Sequence, residues 1–300
     1  MIRNDSQRDF ITGLSRPQAI AFTHKGQMLV TECNSNKVTL REKEGGDVLL
    51  ELGTPLAYPS GVAVDEDDNI YVTDKNSGVT KFDPHGALLR STHSRSGYAP
   101  GEFRKALGIV VVNDKVYVCD GPNHRIEVFD RHTLNFLDTF GSRGDGLGAF
   151  NVPFDITADS AGNLYVADHF NHRIQVFNSN HEPVRCIGSE GDKPGLIHSP
   201  QSVALDPSQM YLYIAEGGRN YRVSVFKTTG EFVTVFNNNG AEDRSLNLPM
   251  NNKALSLMFR SIRSLVFALV LHKLVSTIDK QYSEISFYAR FLDDGATLQV

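Results

Sequence analysis

A short pattern written five times over limits this chain more than any other feature. Four copies align well. They are Gly61–Asp65 with Ile70–Asp74, Gly108–Val112 with Val116–Asp120, Asp155–Asp159 with Leu164–Asp168, and Ser202–Asp206 with Leu212–Glu216. A more divergent copy precedes them, with Ala19–Phe22 followed by Met28–Glu32. The acids that close the second run, Glu32, Asp74, Asp120, Asp168 and Glu216, recur at intervals of 42 to 48 residues. That period is the length of one four-stranded propeller blade. Each unit continues with a third apolar run, such as Arg125–Phe129, Arg173–Phe177 or Arg222–Phe226, and a fourth, such as Phe136–Phe140 or Phe232–Phe236. Turn residues separate the runs, as at Glu66–Asn69, Ser160–Asn163 and Thr228–Gly230. The first two runs are nearly continuous in β-branched and aromatic residues, as in strands packed on both faces. One blade cannot cover its own two faces, so the units must come as an array.

The fold class predicted is therefore all-β, a propeller of four-stranded blades occupying residues 1–250. Composition agrees: 40% hydrophobic, 22% charged, and no Trp, which sets aside WD-type blades. After Pro249 no sixth copy begins. Leu255, Phe259, Ile262, Val266 and Leu269 instead fall at helical spacing within about 253–278, and Asp293–Gly295 reads as the turn of a hairpin over about 285–300. Residues 251–300 are thus expected to form an atypical tail in place of a last blade. A chain ending at residue 252 that folded equally stably would contradict a structural role for that tail. Its longest uncharged apolar stretch is far short of the ~20 residues needed to span a bilayer.

Bulk properties narrow the function classes. The net charge is -5, so nucleic acid could bind only at a local basic patch, and no DNA partner is expected. Cys33, Cys119 and Cys186 are odd in number and widely spaced, which argues against a disulfide framework and for a reducing cytoplasm. They are also too few for a zinc-binding RING, which needs about eight ligands. The N-terminal residues Met1–Gln7 lack the apolar core of a secretory signal. No Gly-x-Ser-x-Gly elbow, phosphate-binding loop or EF-hand loop is found, so neither catalytic residues nor a cofactor is expected.

The pattern Leu164-Tyr-Val-Ala-Asp-His-Phe-Asn-His-Arg-Ile-Gln-Val-Phe177 resembles the NHL-repeat consensus, and Val116–Phe129 nearly repeats it. The segment Gly141–Phe150, ending in Asn-Val-Pro153, looks like the inter-blade loop of that family. The resemblance covers about residues 17 to 249 and is similar in detail to the propellers that end tripartite-motif proteins. It implies a six-bladed ring that binds RNA or protein. The ubiquitin-ligase activity of some such proteins resides in an N-terminal RING outside this resemblance.

Two His residues one repeat apart, His124 and His172, suggest zinc ligation, and one NHL-like branch, the peptidyl-amidoglycolate lyases, implies zinc and calcium in a propeller. No third His stands in register, and Asn-His-Arg is the family's ordinary turn, so no metal is assigned and a metal-dependent lyase or hydrolase is the alternative. Arg125 and Arg173 follow Asp120 and Asp168 by five residues, a spacing that suits structural charge-assisted pairs across one turn. The turns and inter-blade loops are expected to share one rim. There Lys75, Arg95, Tyr98, Arg104, Lys105, His124, Arg143, Phe170, His172, Arg219 and Tyr221 form the candidate ligand-binding set. Cations can meet phosphates while aromatic faces stack unpaired bases, so single-stranded or stem-loop RNA is one expected partner. A protein is the other, because Glu102, Asp145, Glu190 and Asp192 lie in the same loops. For RNA, Arg95, Arg143 and Arg219 would contact phosphates, with Tyr98, Phe170 and Tyr221 as stacking faces.

Overall fold

The computed structural model describes residues 14–42, 46–74, 78–92, 96–218, 220 and 222–237. Within them the repeat folds as five antiparallel sheets of four strands, each sheet in sequence order. Blade 1 holds β1–β4, at Pro17–Phe22, Met28–Glu32, Lys37–Arg41 and Val48–Leu52. Blade 2 holds β5–β8, at Val62–Val64, Ile70–Asp74, Gly78–Phe82 and Leu88–Ser91. Blade 3 holds β9–β12, at Ala106–Val112, Lys115–Asp120, Arg125–Asp130 and Phe136–Phe140. Blade 4 holds β13–β16, at Pro153–Ala158, Leu164–Asp168, Arg173–Phe177 and Pro183–Ile187. Blade 5 holds β17–β20, at Pro200–Leu205, Tyr211–Glu216, Arg222–Lys227 and Phe232–Asn237.

The nearly continuous apolar runs read from the sequence dictate this packing. In each blade the second strand is buried along nearly all its length, and in blades 1 to 4 the fourth is largely exposed, as expected for a strand at the outer edge. Because side chains alternate between faces, Tyr71 and Val72 of β6 look into different joints. Four apolar clusters fill the joints between consecutive blades: Leu29, Leu40 and Ile70 in the first, Tyr71, Phe103 and Phe129 in the second, Phe150, Leu164 and Phe177 in the third, Ile174, Ile197 and Phe226 in the fourth. The innermost strands β1, β5, β9, β13 and β17 touch in that order, and no comparable contact joins β17 to β1 among the described residues.

Five blades, not six, are thus found among the described residues, which corrects the count implied by the resemblance. The expected tail helix and hairpin lie outside the described residues, as do Lys75, Arg95, Arg219 and Tyr221. No described helix is long and apolar enough to cross a membrane.

Candidate recognition rim

The closing acid of the second strand organises one end of the propeller. Glu32, Asp120, Asp168 and Glu216 are all buried, and each accepts a backbone N–H from the loop entering its own blade. Those donors are Ser15 (3.0 Å), Arg104 (3.1 Å), Asn151 (2.7 Å) and His198 (2.8 Å). An Asn amide three or four residues on adds a second bond: Asn123 to Asp120 at 2.6 Å, Asn171 to Asp168 at 2.8 Å, Asn220 to Glu216 at 2.7 Å. The same amides also donate to the loop carbonyls of Gly97, Gly144 and Gly191. A buried carboxylate without such partners would be costly, so the turn and the loop are bound into one unit.

In blades 3 to 5 the arginine at the start of the third strand completes the unit, whereas Lys37 of blade 1 pairs with Glu51. Arg173 Nε donates to Asp168 at 2.9 Å, and Arg222 Nε to Glu216 at 3.0 Å. Arg125 Nη2 lies 3.5 Å from Asp120, and its guanidinium donates to the carbonyls of Tyr98, Ala99 and Glu102 at 2.7 to 2.8 Å. Arg173 reaches Gly146 and Ala149, and Arg222 reaches Lys193 and Leu196, in the same way. These arginines are spent on the loops that carry the rim.

His124 and His172 do a related task between blades. Both sit in the left-handed region, at φ 57° and 55°. Val152 N donates to His124 Nδ1 at 3.2 Å, and Ser199 N donates to His172 Nδ1 at 2.9 Å, each from the entry to the next blade. Blade 1 uses an amide for the same bond: Tyr58 N donates to the Oδ1 of Asn36, itself at φ 54°. Three repeats with one acceptor role fix the tautomer, because an N–H donor needs a bare Nδ1, so the proton of the neutral ring is on Nε2.

That tautomer bears on the one group of three metal-competent side chains among the described residues, His172, Glu190 and His198. Glu190 and His198 were not expected as site residues. His198 follows the buried Ile197 of its loop, where Arg104 and Asn151 follow Phe103 and Phe150, so no His pattern marks the position. His172 Nε2 faces Glu190 Oε1 at 3.8 Å, and the two rings stand 4.7 Å apart. A metal at Nε2 would need that proton removed while Nδ1 still accepts from Ser199, which makes an imidazolate. At 3.8 Å the Nε2–H faces the Glu190 carboxylate without a hydrogen bond, and His198 Nδ1 is buried with no hydrogen-bond partner; the bond from Ser199 makes His172 itself a poor neutral ligand for zinc. Burial holds the His172 imidazole below its ordinary pKa, with His198 adding to the effect and Glu190 opposing it.

Around these supports the rim presents Tyr58, Tyr98, Leu147 and Phe170, between 53 and 72% exposed, from successive loops and the blade-4 turn. Arg104, Lys105 and Arg143 are exposed beside them, and Arg104 stacks over the Tyr98 ring at 5.4 Å. Of the sequence-expected set, the described members Tyr98, Arg104, Lys105, His124, Arg143, Phe170 and His172 all belong to this end. His124 and His172 act there as joints between blades. His169 lies between Phe154 and Phe170, its Nδ1 3.0 Å from the Pro200 carbonyl, and burial lowers its pKa.

A model of the NHL repeat matches residues 56–78, 103–129 and 150–177. Human NHL repeat-containing protein 3 is 29% identical over 168 residues, covering 50% of this chain and 46% of the relative. The chain therefore matches about half the length of that relative. A streptogramin B lyase structure superposes with a TM-score of 0.60 at 15% identity, covering 77% of this chain and 72% of that one. A nidogen/laminin complex structure gives 0.56 at 19% identity, covering 74% and 80%. The chain carries NHL repeats and folds as a propeller. These matches do not single out the tripartite-motif propellers.

Proposed function

We propose that this chain is a non-catalytic recognition module whose loop end binds a protein partner. The observation that carries the reading is the arc of exposed Tyr58, Tyr98, Leu147 and Phe170 on loops tied down by the buried acids, amides and arginines. Apolar and aromatic side chains held on rigid supports are what protein interfaces use as anchors. The charges favour protein over RNA. Arg104 has Glu102 two residues away, Arg143 has Asp145, and Lys193 adjoins Asp192, so no continuous track of cations is formed. The guanidinium over Tyr98 also covers a face that a base would need. The solved neighbours are in keeping with this fold hosting either a lyase or a protein complex, and carry no preference.

The test is selection of a random displayed peptide library against the protein, beside a random single-stranded RNA pool across a salt series. Enriched peptides should lose at least about tenfold in affinity on Tyr98→Ala with Leu147→Ser and Phe170→Ala. RNA binding with a slope of several phosphate contacts would replace this reading with the nucleic-acid one. A metal-dependent enzyme is the alternative class. It would show stoichiometric zinc or calcium in purified protein. The protonated His172 Nε2 leads us to expect none held at that group.

A further inference from the structure

Three of the four described joints follow one plan at the end opposite the rim, and the first departs from it. In blades 2 to 5 the second strand carries a tyrosine at the same register: Tyr71, Tyr117, Tyr165 and Tyr213. The first three fill the joint to the next blade. The Tyr71 hydroxyl lies 2.9 Å from Asp65 Oδ2 and 3.1 Å from the Arg131 carbonyl, with Lys81 Nζ 4.9 Å from the ring centroid. Tyr117 reaches His181 Nε2 at 3.2 Å, and Tyr165 reaches Asp159 at 3.3 Å. Blade 1 has Leu29 instead: Leu29 pairs with Leu40 as Tyr71 pairs with Lys81.

A cavity of about 280 Å³ lies in the first joint, opening beside the exposed Lys25 and His85. Thr23, Leu40, Leu50, Ile70 and Pro84 line it, together with the polar Gln27 and Asp68. By register Thr23 stands where Asp65 holds the Tyr71 hydroxyl, Leu40 where Lys81 covers the ring, and Pro84 where Arg131 offers its carbonyl. Gly86 stands where His181 packs on Tyr117, both at positive φ, so the ring that closes the third joint is absent here as well. A cavity of about 150 Å³ lined by aliphatic side chains takes up benzene, and small-molecule sites begin near 300 Å³.

We propose that this cavity binds a para-hydroxyphenyl group, supplied by a partner's tyrosine or by a free phenol, in the place that the other joints fill from their own chain. Leu40, Leu50 and Ile70 receive the ring. Thr23 Oγ1 accepts the Gln27 N–H at 3.1 Å, which leaves its own proton to donate to the phenolic oxygen. The Pro84 carbonyl accepts the phenolic proton, as the Arg131 carbonyl stands ready to do for Tyr71.

Calorimetric titration of the whole chain with 4-methylphenol, toluene and N-acetyltyrosine amide tests this. Saturable binding of 4-methylphenol, with toluene at least about tenfold weaker, is expected. Leu29→Tyr fills the cavity from within and should abolish that binding while raising Tm. Should Leu29→Tyr fail to fold, Thr23→Val decides, since it should bring 4-methylphenol down to the toluene level. Tyrosine amide binding as tightly as the phenol assigns a partner's side chain; its exclusion with phenol retained assigns a free phenol. No saturable phenol binding, equal binding of toluene, or binding unchanged in both variants would overturn the proposal.

Discussion

At the residue scale, the buried acid of each repeat is the point on which the rim depends. Asp168 accepts from Asn151 N, Asn171, Arg173 and Gln175. Removing it strands an arginine and an amide in a buried turn, so Asp168→Ala should cost about 3–5 kcal/mol in urea unfolding. A loss below about 1 kcal/mol would show that water replaces the carboxylate. His172 offers a test with an internal control, because Asn36 performs its bond in blade 1. Its folded pKa is lowered, so the unfolded chain binds the proton more readily. The stability it contributes is present above an unfolded value of about 6.5 and is lost as pH falls through the folded value. His172→Asn should keep stability at pH 8 and flatten the loss in mild acid; His172→Phe should lose about 1 kcal/mol at pH 8. An unchanged acid limb in His172→Asn would place the titration elsewhere.

At the scale of the element, period and boundaries were legible because each blade repeats one demand, a twice-covered second strand closed by an acid. The run Ile70–Asp74 is β6, and Phe136–Phe140 is β12, as read from the sequence. Substitutions within the plan were harder to read. Glu127 occupies in blade 3 the position of Gln175 in blade 4: the Gly101 N–H donates to Glu127 as the Gly148 N–H does to Gln175. Burial pushes its carboxyl up to about 7 although Arg125 lies 2.6 Å away and opposes the shift. A folded pKa raised above the unfolded one means stability is fully present below about pH 4.5 and falls as pH rises through about 7. Glu127→Gln should therefore raise Tm at pH 8 and leave it little changed at pH 4.5. A lower Tm at pH 8 would show that the contact to Arg125 outweighs the burial.

At the scale of the whole molecule, five described blades bring the described rim loops to one end and leave the cavity of the first joint at the other. The sequence carried the array and the shared rim, since both follow from the repeat. It did not carry the meeting of His172, Glu190 and His198, because loop residues from neighbouring blades converge only once the joints are packed. Nor did it mark the tautomer that sets their chemistry. The outer faces of the end blades make a further prediction. Val30 in blade 1 and Val225 in blade 5 lie outside the four joint clusters and are nonetheless buried. Val30→Asp should cost several kcal/mol, as in any packed joint, by denaturant unfolding. A cost under about 1 kcal/mol would mean that this face meets water in solution.

The central claim is that the loop end recognises a protein through its exposed aromatic arc. Its most direct test is the affinity of library-selected peptides for the parent chain and for the variant with Tyr98→Ala, Leu147→Ser and Phe170→Ala. The account predicts enriched peptides, at least about tenfold weaker binding to the variant, and little change with salt. Failure to enrich any peptide, or equal affinity for parent and variant, would contradict it.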